Sequence, residues 1–352
     1  MIFWLRRGRG DFFCVKGCHE TVTFPSYYLG PSQWSHFKVQ FPVTARHSNN
    51  TSDSSALGYN YRRHLSERFI ETLLFLTAFI SVAITLAIVV MLVTESLSFF
   101  EHVSLWEFLT DTQWTPLFDN AHYGILPLVS GTVVSSAVAL LVAIPMGTIT
   151  AIYLSEFAPF TIREMAKPFL ELLGGVPTVV YGYFALLFVT PLLQKIFPQL
   201  PGFSLLSAGL VMGIMIIPYV SSMAEDAMRA VPMHLREGSY AMGATRFQTA
   251  VRVVMPGAFS GIAAAYILGI SRAVGETMVV AIAAGMQPNL TWNPMEPAAT
   301  ITAYIVQVSL GDLPHGSIGY QTIFAAGLTL LLITLVFNII GHLLRKRFRE
   351  VY

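Results

Sequence analysis

The chain has 352 residues, of which 54% are hydrophobic and only 12% charged, with a net charge of +1 and a mean hydropathy of +0.60. A soluble domain carries about 25% charged residues, so an ordinary cytosolic enzyme, a disordered chain and a nucleic-acid binder with a broad basic face are excluded. Two cysteines cannot build a disulfide framework.

Residues 1–61 are rich in Ser, Gly, Asn and Arg, show no sustained period and end in the linker-like run Asn49–Ser55. They read as a disordered cytoplasmic tail; a mis-assigned upstream translation start would look the same. Cys14, Cys18 and His19 lack a second ligand pair at zinc-site spacing, so no metal site is expected. Asn50-Thr51-Ser52 matches a glycosylation sequon, which a cytoplasmic tail would not use. Residues 62–350 read as one transmembrane domain.

Crossing a bilayer core takes roughly 20 apolar residues at helical rise. Six segments meet that need: Ile70–Thr94, Ile125–Tyr153, Phe169–Leu193, Phe203–Met223, Ala258–Ala284 and Thr322–Leu344. Of the 21 basic residues, 19 then fall on one side, with Lys195 opposite and Arg272 inside the fifth span. By the positive-inside rule both termini are cytoplasmic. On the outer side, residues 95–124 with Trp106, Asp111, Trp114 and Asp119 suit an interfacial helix and a polar turn, and Ala298–Leu310 reads as a short helix packed on the pore mouth.

No Gly-Lys dipeptide, His-Glu-x-x-His or Gly-x-Ser-x-Gly occurs, so no covalent chemistry and no nucleotide site of its own is expected. The most informative loop joins spans four and five. Glu237-Gly238-Ser239-Tyr240-Ala241-Met242-Gly243 reads as a helix over Arg236–Met242 broken at Gly243, followed by a second helical stretch that enters the membrane at Pro256. Its small residues leave a smooth knob, fit either for a cleft in another protein or for an ordinary hairpin. The second informative site is Arg272 with Glu276 in span five, since a mid-bilayer charge costs roughly 2.5–3.5 kcal/mol. At i,i+4 the two are read as sharing a helix face. Either they neutralise each other and lock the span, or Arg272 passes an oxyanion while Glu276 tempers its grip. Gly174-Gly175 reads as a close-packing site, Glu156 and Glu171 as solvated or capping, Glu225-Asp226 as a cap or a partner of Arg229, and Met212 and Met215 as lipid-facing or packing residues.

The loop resembles the EAA loop of ABC importer permeases. Glu237, Gly243 and Pro256 match in type and spacing, whereas Gly238 and Ser239 stand for the two alanines, and Val253 and Met255 for Ile and Leu. Arg272-Ala273-Val274-Gly275-Glu276-Thr277 resembles the phosphate-specific branch, and Met278-Val279-Val280 looks more like its PstC-type than its PstA-type subunit. The resemblance covers residues 62–350 and implies an all-α, six-span type I ABC importer permease of the cytoplasmic membrane. It implies a second permease, two ATP-binding subunits that use the ATP, and an extracytoplasmic phosphate-binding protein. This chain would hold no cofactor. Rival expectations are a permease for sulfate or molybdate, an ATPase-independent secondary transporter or channel, and a membrane reporter of phosphate status.

Overall fold

The computed structural model describes residues 4–6, 12–14, 55–116, 118, 120–312, 314 and 316–347, with side chains from 67 onward. The chain divides into two units, Met1–Leu73 and Leu74–Tyr352. In the first, Trp4–Arg6 (β1) pairs antiparallel with Phe12–Cys14 (β2), Trp4 opposite Cys14. The tail is therefore not structureless in these two runs, whose aromatic residues favour an extended, paired backbone. The run Asn49–Ser54, Cys18, His19 and the sequon lie outside the described residues, as does Asp119. Helix α1, Ser55–Phe100, starts in this unit, ahead of the boundary expected at residue 62.

The second unit continues with α2 (Leu105–Thr110), α3 (Leu126–Ile152), α4 (Phe160–Gly175), α5 (Thr178–Phe184), α6 (Thr190–Ile196) and α7 (Leu205–Arg229). Then come α8 (Met233–Ala241), α9 (Arg246–Thr249), α10 (Met255–Gly257), α11 (Phe259–Val274), α12 (Met278–Ala283), α13 (Ile301–Gln307) and α14 (Ile318–Arg347). Wide π-helical turns extend α3 through Tyr153–Phe157, join α5 to α6 and join α9 to α10. Two of them precede Pro191 and Pro256, which supply no N–H to a helical ladder.

Five stretches are long and apolar enough to cross a membrane: Glu67–Phe100, Leu126–Phe157, Thr178–Ile196, Leu205–Arg229 and Ile318–Arg347. The sixth is a broken span, Arg246–Gly257 with Phe259–Val274, bent by 75°. The protein is thus a six-span, all-α, multi-pass membrane protein. The third span differs from expectation. It begins at Thr178, because Pro177 holds Val176 extended (ψ 131°) and ends α4 at Gly175. Phe169–Leu173 belong to α4, which carries Arg163, Glu164, Lys167 and Glu171 and buries none of its residues.

Helix α7 is the centre of the bundle, with two thirds of its apolar window buried, while the apolar window of α1 is wholly exposed. Small residues let α3 and α7 approach closely. A Cβ at Gly213 would stand 2.8 Å from the Ala139 carbonyl oxygen, and one at Gly209 would stand 2.7 Å from Val138. Met212 and Met215 are buried in this contact and serve packing. At the end carrying the α1–α3 connection, Phe99, Phe108, Trp114 and Tyr304 form an aromatic cluster. The expected interfacial helix is present as α2, but Trp114 is 1% exposed and belongs to the core, leaving Trp106 at the surface. The expected helix at Ala298–Leu310 is the buried α13, followed by a wide turn in which Gly311 has φ +110°. We call this the aromatic end; the opposite end, with α4 and α8–α10, is the basic end.

Candidate functional site

Arg272 and Glu276 do not share a helix face. Helix α11 stops at Val274, and Gly275 leaves the helical course at φ −89° and ψ 1°. The reading of one continuous helix fails because Glu276-Thr277-Met278 is a helix start. The Glu276 carboxylate turns onward and accepts the backbone N–H of Met278 at 3.2 Å and of Val279 at 3.4 Å, at the opening of α12. It is 8% exposed, and its backbone carbonyl accepts the Thr302 hydroxyl of α13 at 2.7 Å. A carboxylate gains from partial positive charge at a helix N-terminus, so Glu276 is held by backbone and not by Arg272.

Among the described residues Arg272 forms no ion pair. Its guanidinium lies over the Tyr219 ring of α7, 4.0 Å from the centroid, and its Nε is buried without a hydrogen-bond partner. Such a stacked cation gains about 0.5–2 kcal/mol and keeps its in-plane donors free for a planar or tetrahedral oxyanion. Tyr219 is itself anchored: its hydroxyl donates to the Gly174 carbonyl at 2.7 Å, at the end of α4. Tyr181 of α5 donates to the neighbouring Leu173 carbonyl at 2.8 Å. A Cβ on Gly174 would stand 3.2 Å from the Tyr219 oxygen, so this glycine does permit close packing. The α4–α5 break, α7 and the end of α11 thus meet at Arg272. Sequence reading missed Tyr219; its one local signal was a phenol directly after Pro218 within a span.

The inter-span loop has the expected helix, as Met233–Ala241, starting behind extended Pro232 rather than at Arg236. Gly243 sits at φ +83° beyond its end, the left-handed conformation that favours glycine. Thr245 and Gln248 form a reciprocal capping box that starts α9, and Ser239 and Thr249 share a hydroxyl hydrogen bond of 2.9 Å. Pro256 lies in α10, just ahead of the 75° bend into α11 within the broken span. Glu237, Gly238 and Gly243 are exposed, Ser239 is partly covered, and α8 has no buried residue. Met233, Tyr240, Met242 and Phe247 add apolar side chains to this open surface.

Two buried carboxylates tie this end together. Glu225 of α7 is fully buried and receives Lys167 Nζ of α4 at 2.6 Å and Arg229 Nη1 at 3.5 Å. The sequence named Arg229 as a partner but not Lys167. Glu156, read as solvated or capping, has a side chain 6% exposed and pairs at 3.2 Å with Arg236 of α8. Partial burial opposes the Lys167 charge, but Glu225 and Asp226 outweigh it and hold the ammonium above its ordinary range.

Residues 143–350 match the family described as binding-protein-dependent transport system inner membrane component. The chain is 36% identical over 272 residues to the probable ABC transporter permease protein YqgH of Bacillus subtilis (strain 168), covering 77% of this chain and 88% of that one. It is 32% identical over 264 residues to the phosphate transport system permease protein PstC of Mesorhizobium japonicum, covering 69% and 79%. Among solved structures, a bacterial ABC transporter involved in the import of the acidic polysaccharide alginate has a chain that superposes with a TM-score of 0.59 at 17% identity, over 83% of this chain and 100% of that one. That likeness fixes the fold. The chain belongs to the binding-protein-dependent transport system inner membrane components, and within them it is a PstC-type permease.

Proposed function

We propose that the chain is one of two permease subunits of an ATP-driven importer that carries inorganic phosphate across the cytoplasmic membrane. One observation carries the phosphate reading: Arg272, at the end of a broken span, has no carboxylate partner among the described residues and presents unused donors beside an aromatic ring. Guanidinium donors match phosphate oxygens in pairs, and low local polarity strengthens such a contact. Glu276, fixed on the start of α12, supplies a nearby negative charge that keeps the anion from being trapped. Relatives named as phosphate permeases at about 30% identity support the same cargo.

The basic end is the cytoplasmic one, with both chain termini on that side, as nineteen of the 21 basic residues favour. Glu237, Gly238, Ser239, Gly243 and Pro256 form the coupling loop that docks on an ATP-binding subunit. The open apolar surface of α8 and Phe247 supports this, since exposed patches of that kind mark protein contacts. Two such ATP-binding subunits serve the two permeases, and an extracytoplasmic phosphate-binding protein delivers cargo to the aromatic end. The chain carries no cofactor, binds no metal and performs no hydrolysis; ATP is consumed by its partner.

The test is uptake of labelled phosphate into proteoliposomes holding the whole complex, with sulfate, molybdate and arsenate as competitors. Arg272→Gln and Arg272→Ala are expected to lower uptake by about tenfold or more, a loss of about 1.4 kcal/mol of anion binding. Full-rate uptake in both variants, or equal competition by sulfate, would remove the phosphate role of Arg272.

A further inference from the structure

Helix α8 is nearly detached from the spans it would have to move. It has no buried residue, and its inward links are Leu235, partly buried against the cluster at Met228 and Val231, the Ser239–Thr249 hydrogen bond and Arg236. Arg236 differs from the other two in reach. Its Nη2 donates to the Met228 carbonyl near the end of α7 at 2.8 Å and lies 3.2 Å from Glu156 Oε1 at the end of α3. The pair is shielded, with side chains 13% and 6% exposed. Ser155 donates to the same Glu156 oxygen at 2.9 Å, which fixes the carboxylate from its own side.

We propose that Arg236 is a positioning residue for coupling, the strut that carries displacement of α8 into the ends of α3 and α7 through Glu156 and the Met228 carbonyl. An apolar contact such as that of Leu235 slides, because it is not directional. A planar guanidinium bonded to two different helices resists both push and pull, and a lysine point charge cannot bridge them in the same way. Its Nε is buried without a partner, so this arrangement leaves one donor unused. That donor is available to a second arrangement of the same end, as a two-position element requires. Arg272 and Glu276 take no part in this strut.

The inference rests on α8 being the docking surface proposed above. The experiment uses the whole complex in proteoliposomes and reads phosphate uptake and ATP hydrolysis on the same sample. Arg236→Gln and Glu156→Gln are each expected to assemble with the ATP-binding subunits, keep hydrolysing ATP and lower phosphate moved per ATP by about tenfold. The double variant should be no worse than Arg236→Gln alone, since the Glu156 link is one of the two that Arg236→Gln already removes. Arg236→Lys, which keeps the charge but not the fork, should fall between. Uptake per ATP unchanged in the single variants, or losses that multiply in the double, would overturn the strut. Should the Gln variants fail to accumulate, Arg236→Lys decides: reduced uptake per ATP at normal assembly supports the strut, and unchanged coupling or failure to accumulate overturns it. An unmodified chain that recruits no ATP-binding subunit would instead remove the docking reading beneath it, which separates the two failures.

Discussion

At one end of the bundle Phe99, Phe108, Trp114 and Tyr304 meet edge to face, with Trp114 and Tyr304 5.0 Å apart. At the other, Lys167, Glu225, Arg236 and Glu156 meet as ion pairs within 2.6–3.2 Å. Interlocked rings gain from area and shape, and they have one good arrangement. Buried ion pairs contribute little net stability but fail sharply when one partner leaves, and their donors can be exchanged between positions. The difference assigns the ends different duties. The aromatic end holds α1, α2, α13 and α14 in a fixed frame, and the basic end holds α4 and α8 by contacts able to switch. The Arg272–Tyr219 stack lies between, reached from both breaks.

The largest effect should come from the frame. Trp114→Ala empties a fully buried site and is expected to cost about 3–5 kcal/mol, seen as a lower Tm and poorer accumulation. Protein that does fold should keep its phosphate-to-ATP ratio. A changed ratio would break the division between the two ends. Lys167→Ala comes next. It leaves Glu225 buried with only the more distant Arg229, at about 3 kcal/mol, and Glu225→Gln added to it should recover most of the loss. Absence of rescue would show that Lys167 acts through something other than this charge.

Smaller effects sharpen the middle and the docking loop. Tyr219→Leu removes the ring beneath Arg272 and should raise the KM for phosphate several-fold, about 1 kcal/mol, while Tyr219→Phe keeps the ring and loses only the bond to Gly174. Equal effects of the two would mean that the hydroxyl, not the stack, positions Arg272. Gly243→Val strains a left-handed residue by about 1–2 kcal/mol, yet a Cβ there meets nothing within 4 Å in this chain. Steric harm must therefore come from a partner. The variant should fold and lose ATP-subunit binding, read by co-purification.

What the sequence disclosed and what it withheld divide along physical lines. Long apolar runs announce spans, and four of the six expected segments match helices to within a few residues; the fifth, Ala258–Ala284, is instead broken, with α11 ending at Val274 and α12 following it. The third did not match, because Phe169, Leu170, Leu172 and Leu173 carry the apolar run backward across Pro177 into α4. Arg272 and Glu276 were found by cost alone, a charge inside a span, but their relation depended on a helix that ends at Val274. Gly275 followed by Glu276-Thr277 was the available warning. Tyr219 on Arg272, Lys167 on Glu225 and Arg236 on Glu156 join different elements, and no local period encodes such partners. The loop around Gly243 was readable because its geometry is local: a positive φ, a capping box and a proline.

The smallest expected effect is one of pH, and it tests both ends at once. Partial burial of Asp111 works against its charge, but the Gln113 amide at 3.1 Å and His122 Nδ1 at 2.9 Å prevail and hold the carboxyl below its ordinary value of 3.8. Its contribution is complete above 3.8 and is lost as pH falls through the lower folded value. Lys167 runs the other way. With its folded value raised, its contribution is complete below 10.5 and is lost only as pH climbs through the higher one. Between about pH 5 and 9 neither group changes charge, so neither contributes a slope to stability there. Hydrogen exchange resolved along the chain should show the 111–124 connection loosening in acid and α4 loosening in alkali. Asp111→Asn should remove the first change and leave the second. If α4 instead opened near pH 6, the Lys167–Glu225 contact would not be what holds it, and the basic end would have to be held by the Arg236–Glu156 pair alone.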